Sequence, residues 1–389
     1  MTQTAKKVLV IGGGIGGAAT ALALHRAGLE PVLYERTEKL REVGAGIALW
    51  ANATHVLKQL GVLDDALRVG DVVTNYQFLS QKGKELVNVG VDIHEVPAIG
   101  IHRADLQALL WQKLPSKQSV LGQAFEQFEQ VGTQVRAHFA GGLVDEGDAL
   151  IGADGLRSRV RTQLFGEAQP IYRGMTAYRA LTAYVRGTYK PGYICEFIGS
   201  GKAFGFLRIG KGRMYWYVAS IASQGQADAP VGRKRELQEM FTDWPEPIPE
   251  LIAATDEASI LKNDLCDRIP IKEWGKQNIT LLGDAAHPTL PTMGQGACMA
   301  LEDALVVTKC LLEQANPADA FRQYESLRVG RTKKIVEQSL AIGKSFQIEN
   351  RVFIALRNTL MKLSAKQFDK ALLNQGMSHG GTGTSQNLR

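Results

Sequence analysis

Residues 8–36 hold a strand, a glycine turn, a helix and a second strand, and the rest of the chain must be built around that unit. Residues 8–11, Val-Leu-Val-Ile, form a short β-branched run that is apolar on both faces, as in a strand buried within a parallel sheet. Gly12-x-Gly14-x-x-Gly17 follows at once, residues 18–27 read as a helix that Gly28 closes, and residues 31–34 form a strand ending at Glu35. In such a unit the first glycine permits the tight turn and the second lets a pyrophosphate approach the backbone. The third lets helix and strand pack closely, while the helix N-terminus offers N–H groups and a positive dipole end to phosphate. Glu35 stands where an acid can accept both ribose hydroxyls of an adenosine. The unit by itself fits NAD or FAD.

A chain of 389 residues exceeds one compact core and implies two domains. Its 45% hydrophobic and 22% charged content is that of an ordinary globular protein. The net charge of +6 is modest and no Lys/Arg block points to nucleic acid, so none is expected as a partner. An anionic dinucleotide in an electropositive cleft accounts for part of the excess. The cysteines at 195, 266, 298 and 310 show neither CxxC nor metal-like spacing with His, so they read as reduced, mostly buried thiols and no metal site is expected. Residues 1–7 run straight into a strand without signal-peptide layout, and no apolar run reaches the roughly 18 residues of a membrane span. A cytoplasmic protein is the expectation.

Along the chain, residues 40–49 read as a glycine-containing loop, 53–60 as a helix stopped by Gly61, and 72–91 as strands of a second layer. Another helix begins at His102-Arg103-Ala104-Asp105-Leu106, with Leu106, Leu109 and Leu110 inward, and 120–139 alternates like a β-meander. Residues 149–155, Ala-Leu-Ile-Gly-Ala-Asp-Gly, return to the parallel sheet. From 172 to 264 aromatic-rich strands dominate, with hairpin turns at 199–201 and 210–212, which predicts a separate antiparallel sheet. Residues 278–282 make one more buried strand before Gly283-Asp284-Ala285-Ala286-His287-Pro288. Residues 296–314 are helical by period, with Ala297, Leu301, Ala304, Leu305, Thr308 and Leu312 on one face. Helices continue to about 371, and the Gly/Ser/Thr/Asn-rich end from 376 to 389 reads as disordered.

The glycine-and-acid motifs at 12–17, 152–155 and 283–284 each follow an apolar strand, so all can face one crevice at the strand ends. Together with Glu35-Arg36, Val43-Gly44-Ala45-Gly46-Ile47, residues 102–106, Leu156-Arg157-Ser158 and the stretch 281–303, they resemble the single-component FAD-dependent aromatic hydroxylases of the para-hydroxybenzoate hydroxylase superfamily, which includes salicylate hydroxylase-like and zeaxanthin epoxidase-like enzymes. The resemblance spans roughly residues 6–335. It implies an α/β fold: a Rossmann-like FAD-binding domain (1–75, 99–170, 266–345), an inserted antiparallel β-sheet substrate domain (76–98, 171–265), a C-terminal helical segment (346–375) and a tail (376–389).

By the same resemblance, Gly12, Gly14 and Gly17 hold the FAD pyrophosphate and Glu35 and Arg36 the adenosine. Ala48 and Phe125 flank the cofactor through their backbone, Arg103 reaches the phosphate or ribityl chain, and Asp284 takes a ribityl hydroxyl. Asp154-Gly155 is linked to FAD and NAD(P)H alike. Gly294, Gln295, Gly296 and Ala297 lead into a helix whose N–H groups would stabilise negative charge at the flavin N1–C2=O edge. The reaction implied is NADPH- or NADH- and O2-dependent hydroxylation of a small aromatic or lipophilic substrate through a flavin C4a-hydroperoxide, which needs a dry cavity. With no second GxGxxG unit, the nicotinamide would bind transiently in the same cleft.

Tyr178, Arg179 and Tyr217 fall in the sheet where relatives line the substrate pocket, although ordinary sheet packing explains each equally well. By the same resemblance, His287, which follows the FAD-contacting Asp, is structural rather than a general acid. Relatives that bind urate have Arg at the position of Ala203, so its absence favours an apolar or phenolic substrate. Val352, Phe353, Leu356, Leu360 and Leu363, interleaved with Arg351, Arg357, Lys362 and Lys366, form a helix docked on the FAD domain or a partner. Contact with a membrane surface is the lesser reading. A monomer or homodimer is expected. The alternatives are epoxidation of an isoprenoid or carotenoid-like alkene, a flavin reductase that uses no oxygen, a NAD-dependent dehydrogenase, and a non-enzymatic FAD-binding scaffold. None of the five tryptophans sits in the Trp-x-Trp-x-Ile-Pro signature of flavin halogenases.

Overall fold

A computed structural model describes residues 6–40, 45–92, 95–183, 189–225 and 232–372, with side chains to 363. Val43, Gly44, the side chain of Lys366, the start of the chain (1–5) and the tail (376–389) lie outside the described residues. The chain opens with β1 (Lys7–Ile11), α1 (Ile15–Arg26) and β2 (Glu30–Tyr34), and β1 and β2 are parallel. The expected loop over 40–49 is in part a strand, β3 (Gly46–Leu49), because these residues pair with a strand some fifty residues on. Then come α2 (Ala51–Gln59), α3 (Leu63–Val69), β4 (Asp71–Val73), β5 (Asn75–Ser80), β6 (Glu85–Gly90), β7 (Ala98–His102) and α4 (Arg103–Gln112). β8 (Ser119–Val120) precedes the meander of β9 (Phe125–Val131), β10 (Gln134–Phe139) and β11 (Val144–Gly147). β12 (Ala149–Gly152) and α5 (Arg159–Phe165) follow. The aromatic-rich region comprises β13 (Ile171–Ala183), β14 (Tyr193–Ile198), β15 (Lys202–Arg208), β16 (Arg213–Ile221), helices α6 (Arg233–Met240) and α7 (Ile248–Ala254), and β17 (Leu261–Asp267). β18 (Ile279–Leu281), α8 (Gly296–Glu313), α9 (Pro317–Phe346) and α10 (Arg351–Leu372) end it.

One sheet, in the order β18-β12-β1-β2-β8, is parallel throughout. A larger seven-stranded sheet runs β17-β13-β16-β15-β14-β5-β6. It is antiparallel as expected except for β14 and β5, which pair in parallel. Short hairpins enforce antiparallel neighbours, but β5 reaches this sheet from a distant part of the chain and is free of that constraint.

Strand alternation gives this large sheet two faces. Ala203, Leu207, Tyr215 and Ala219 face the core shared with the parallel sheet, whereas Phe204, Phe206, Trp216 and Val218 pack with Leu237, Phe241, Ile248 and Leu251 from α6 and α7. Tyr178 belongs to this second, outer cluster, and its hydroxyl donates to Glu236 Oε1 at 2.7 Å. It therefore does not share a pocket with its neighbour Arg179, as the sequence reading supposed. A period of two places successive residues on opposite faces.

α8 differs from its expected one-sided helix. Asp303, Val307, Cys310 and Leu311 are buried, Ala297 and Leu305 only partly so, and Leu312 is 48% exposed. Helices pack on more than one side of it, so its apolar residues are not confined to a single stripe. One flank carries a buried ion network. Arg328 Nε meets Asp303 Oδ1 at 2.6 Å, Arg328 Nη1 meets Glu302 Oε2 at 2.6 Å, and Arg331 Nη2 meets Glu302 Oε1 at 2.6 Å. Asp303 Oδ2 accepts from His287 Nε2 at 2.6 Å and from Gly283 N at 3.2 Å, which ties the turn after β18 to α8. His287 thereby anchors this turn through its Nε2.

Burial alone would raise both carboxyls, but His287 and Arg328 hold Asp303, and Arg328 and Arg331 hold Glu302, at about 2. A depressed carboxyl stabilises the fold fully above its unfolded value of roughly 4, and that contribution disappears as pH falls towards 2. Arg328→Met leaves two buried carboxylates short of a partner and should lower unfolding stability by about 3–5 kcal/mol. Denaturant titration at neutral pH measures this, and acid unfolding of the variant should begin at a higher pH than in the parent protein.

Candidate functional site

β1, β2, β12 and β18 deliver Gly12, Glu35, Asp154 and Asp284 to the same carboxyl edge of the parallel sheet. Gly12 has φ +106°, and a Cβ there would stand 2.5 Å from the Ala153 carbonyl oxygen. A Cβ at Gly17 would be 1.9 Å from the Gly12 carbonyl oxygen. Gly14, the N-cap of α1, is different: a Cβ there meets nothing within 4 Å. α1 has no side-chain cap and no acid in its first turn, so its leading N–H groups are open to an anion.

Glu35 clamps the turn. Its Oε2 accepts from Gly13 N at 2.8 Å and its Oε1 from Thr37 N at 3.0 Å. On the other side of the turn, Gln107 Nε2 and Trp111 Nε1 donate to the Gly13 carbonyl at 2.7 and 2.9 Å. The sequence reading missed these two, although their i,i+4 spacing on a helix that follows a strand was a visible signal.

Arg36 and Arg103 are exposed, and Arg103 N donates to the Ala45 carbonyl at 3.0 Å. Ala48 is half-buried in the β3–β7 ladder. Asp284 opens onto the crevice, yet enough protein surrounds its carboxyl for desolvation to raise it against the pull of His287 and Arg103. Asp154 Oδ2 accepts from Arg159 N at 2.7 Å and Val160 N at 3.2 Å, capping α5, while its buried Oδ1 has no protein partner. The Phe125 carbonyl accepts from Arg159 Nη1 at 3.1 Å, so this backbone atom already serves the protein.

The turn before α8 completes the crevice. Gly294 has φ +62° and lies against Trp50, whose indole Nε1 is buried without a partner. Gln295 is fully buried, and its Oε1 accepts from Asn52 Nδ2 at 3.1 Å. Asn52 Nδ2 also donates to Glu302 Oε1 at 2.6 Å, which leaves Gln295 Nε2 a buried donor without a protein partner. Gly296 is the first residue of α8, a partly buried Ala297 follows, and this helix too has neither side-chain cap nor acid in its first turn. A Cβ at Gly16 would lie 3.1 Å from Ala300 Cβ, so α1 and α8 meet at their N-terminal turns and open onto one crevice. Two uncapped helix starts, an acid at the turn and orphaned buried donors suit a flavin dinucleotide.

Beside the 291–293 turn lies a cavity of about 560 Å³, walled mostly by apolar residues including Phe78, Ile198, Met293, Ile342, Phe346 and Leu356. Ala203 is buried on the inward sheet face. Arg179 and Tyr217 are on this face and half-buried, and Arg179 Nη2 donates to Asn263 Oδ1 at 2.6 Å. α10 helps to wall the cavity and packs on β6 of the large sheet rather than on the parallel-sheet domain. The stripe expected to dock is more than half exposed at Val352, Phe353, Leu356, Leu360 and Leu363, whereas Arg357 is buried. Its guanidinium donates to the Ser345 carbonyl at 3.0 Å and fastens α10 to the end of α9.

A family model described as an FAD binding domain matches residues 5–339. The chain is 38% identical to aurachin C monooxygenase/isomerase of Stigmatella aurantiaca over 93% of its own length and 95% of that protein. It is 33% identical to 6-hydroxynicotinate 3-monooxygenase of Bordetella bronchiseptica, over 86% and 90%. Zeaxanthin epoxidase of Solanum lycopersicum is 34% identical over 84% of the chain but 53% of its own length, so the chain spans about half of that relative. Among solved structures, Klebsiella pneumoniae HpxO complexed with FAD and uric acid superposes with a TM-score of 0.89 at 24% identity, covering 96% of this chain and 98% of that one, a likeness of fold.

The motif glycines should separate by experiment. Gly14→Ala adds a methyl group to open space, so the apoprotein should melt as before while FAD affinity falls at least about tenfold, the second glycine being where a pyrophosphate needs close approach. Gly17→Ala collides with backbone and should lower the melting temperature of the apoprotein itself. Thermal melts with and without FAD, plus a flavin titration, distinguish the two. Glu35→Ala should weaken FAD binding by about 2–3 kcal/mol through a lost charge-assisted contact. Unchanged affinity in that titration would remove Glu35 from the site.

Proposed function

The chain belongs to the FAD-binding family of flavoprotein monooxygenases, and on that premise we propose that it inserts one oxygen atom into an aromatic ring carrying a lipophilic substituent, with NADPH or NADH as electron donor. The observation that carries the substrate class is the roughly 560 Å³ apolar cavity beside the 291–293 turn. Its size falls within the usual range of ligand sites, and its walls reward burial of hydrocarbon. The buried Ala203, where a cation would favour an anionic heterocycle, agrees with this. The relatedness to an aurachin C monooxygenase and to a 6-hydroxynicotinate monooxygenase supports an aromatic ring as the reacting group.

In this reading Gly14 and the first N–H groups of α1 hold the pyrophosphate, and Glu35 and Arg36 hold the adenosine. Arg103 and Asp284 contact the phosphate–ribityl chain, and Asp154-Gly155 borders both nucleotides. Residues Gly294–Ala297 meet the flavin edge, with the α8 N-terminus favouring negative charge there. Bound FAD supplies the redox and oxygen-transfer chemistry. The large sheet, α9 and α10 keep water from the reacting ring, and the nicotinamide enters the same cleft transiently. Among the described residues no helix is long and apolar enough to cross a membrane.

The FAD-loaded protein should oxidise NAD(P)H faster when given alkyl-substituted phenols or quinolines, with products heavier by one oxygen. No stimulation by any such compound, or turnover without oxygen uptake, would refute the assignment. Ile342→Trp, which fills the cavity, should raise KM about tenfold or more for a long-chain substrate, since each buried methylene contributes about 0.8 kcal/mol. KM for the unsubstituted ring should move little.

A further inference from the structure

β14 reads Ile194-Cys195-Glu196-Phe197-Ile198, a carboxylate in the middle of an apolar strand. Glu196 is 3% exposed and takes the inward face with Ile194 and Ile198. It accepts a hydrogen bond from the Tyr76 hydroxyl of β5, and Tyr217 of β16 stands close enough to act on both groups. Tyr217 reaches it because the strand between them has no side chain at that level. Glu196 is opposite Gly205 on β15, Gly205 is opposite Tyr217, and a Cβ at Gly205 would stand 2.2 Å from the Tyr217 ring.

Tyr76 also lines the apolar cavity. Three other wall residues carry polar side chains, and each donates to a backbone carbonyl. Thr292 Oγ1 bonds to Ser339 O at 2.6 Å, Ser345 Oγ to Ile342 O at 2.7 Å, and Arg357 Nη1 to Ser345 O at 3.0 Å. Tyr76 is the wall residue whose hydroxyl is backed by a titratable group.

Resting on the lipophilic-aromatic reading above, we propose that the Tyr76 hydroxyl anchors the polar group of the bound ring, and that the protonation state of Glu196 sets whether this anchor accepts or donates a hydrogen bond. Tyrosine has one proton to give. An ionised Glu196 is acceptor-only and takes that proton, so Tyr76 offers the ligand lone pairs and selects a ring N–H or O–H. A protonated Glu196 donates its own hydrogen to a tyrosine oxygen, and Tyr76 can then turn its proton towards a ligand carbonyl or ether.

The surroundings put this switch in an accessible pH range. Burial pushes Glu196 up to about 7, against the pull of the hydrogen bonds from Tyr76 and Tyr217. Burial keeps both tyrosines far above their ordinary value, so they stay neutral. The titratable groups facing Glu196 are Tyr76 from β5 and Tyr217 from β16, with Tyr215 beside Tyr217 at a ring distance of 5.8 Å. β15 presents Gly205, and Arg179 of β13, in the same cross-strand row, is bonded to Asn263. Glu196 acts through Tyr76 and is a positioning residue.

The test compares 4-heptylphenol with its methyl ether, 4-heptylanisole, by the flavin absorbance change of the FAD-loaded enzyme from pH 6 to 8.5, where the phenol stays neutral. The wild-type preference for the phenol should rise from about twofold at pH 6 to about tenfold at pH 8.5, with its inflection near 7. In Glu196→Gln the preference should lose its pH dependence, because an amide oxygen accepts from Tyr76 at every pH. In Tyr76→Phe it should fall to about one throughout. A wild-type ratio that is flat with pH, or a preference that survives in Tyr76→Phe, overturns this assignment alone. Failure of both ligands to bind overturns the lipophilic-aromatic reading and this assignment with it.

Discussion

Gly17 packs against the Gly12 carbonyl so closely that a methyl group would stand 1.9 Å from the oxygen, and the rest of the site depends on that approach. It seats the first turn of α1 directly over the end of β1, so the helix N-terminus points into the crevice instead of across the sheet. The positive φ of Gly12 brings the turn against Ala153 and Asp154, which joins the end of β12 to the same edge. Glu35 holds the Gly13 N–H, and Gln107 and Trp111 hold the Gly13 carbonyl. A turn clamped from both sides is preorganised for an anion and loses little freedom when one binds.

A second clamp works from behind. Arg328 and Arg331 fix Glu302, Glu302 engages Asn52, and Asn52 engages Gln295 at the start of α8. Because Glu302 is held ionised, Asn52 must present its amide N–H groups, and the amide of Gln295 is then oriented with its nitrogen left over. The ion network therefore does more than stabilise α9 against α8. It sets the polarity of a buried donor beside the turn that opens α8. Buried ion pairs of this kind contribute little net stability but penalise any arrangement that separates the partners.

The large sheet divides its labour by face. Its outer side is an aromatic core of its own with α6 and α7, and its inner side carries the polar row Glu196, Gly205, Tyr217 and Arg179 that looks towards the FAD-binding domain. α10 closes one flank of an oily cavity lined in part by Tyr76, whose hydroxyl donates to Glu196.

The sequence by itself determined the βαβ unit, the return of 149–155 and 278–282 to the parallel sheet, and the convergence of three glycine-and-acid motifs on one edge. These are properties of local periodicity and turn chemistry, and the handedness of parallel crossovers leaves few alternatives. Only tertiary structure decided which side of the large sheet faces inward. Alternation separates Tyr178 from Arg179 but does not say which of them meets the cofactor domain. The parallel pairing of β5 with β14, the many-sided burial of α8 and the seat of α10 on β6 likewise rest on contacts between segments far apart in the chain. Glu196 shows the limit most plainly. One acid in an apolar strand was visible in the sequence, yet its hydrogen-bond donor comes from residue 76, and Tyr217 comes near it by lying over residue 205, which is glycine.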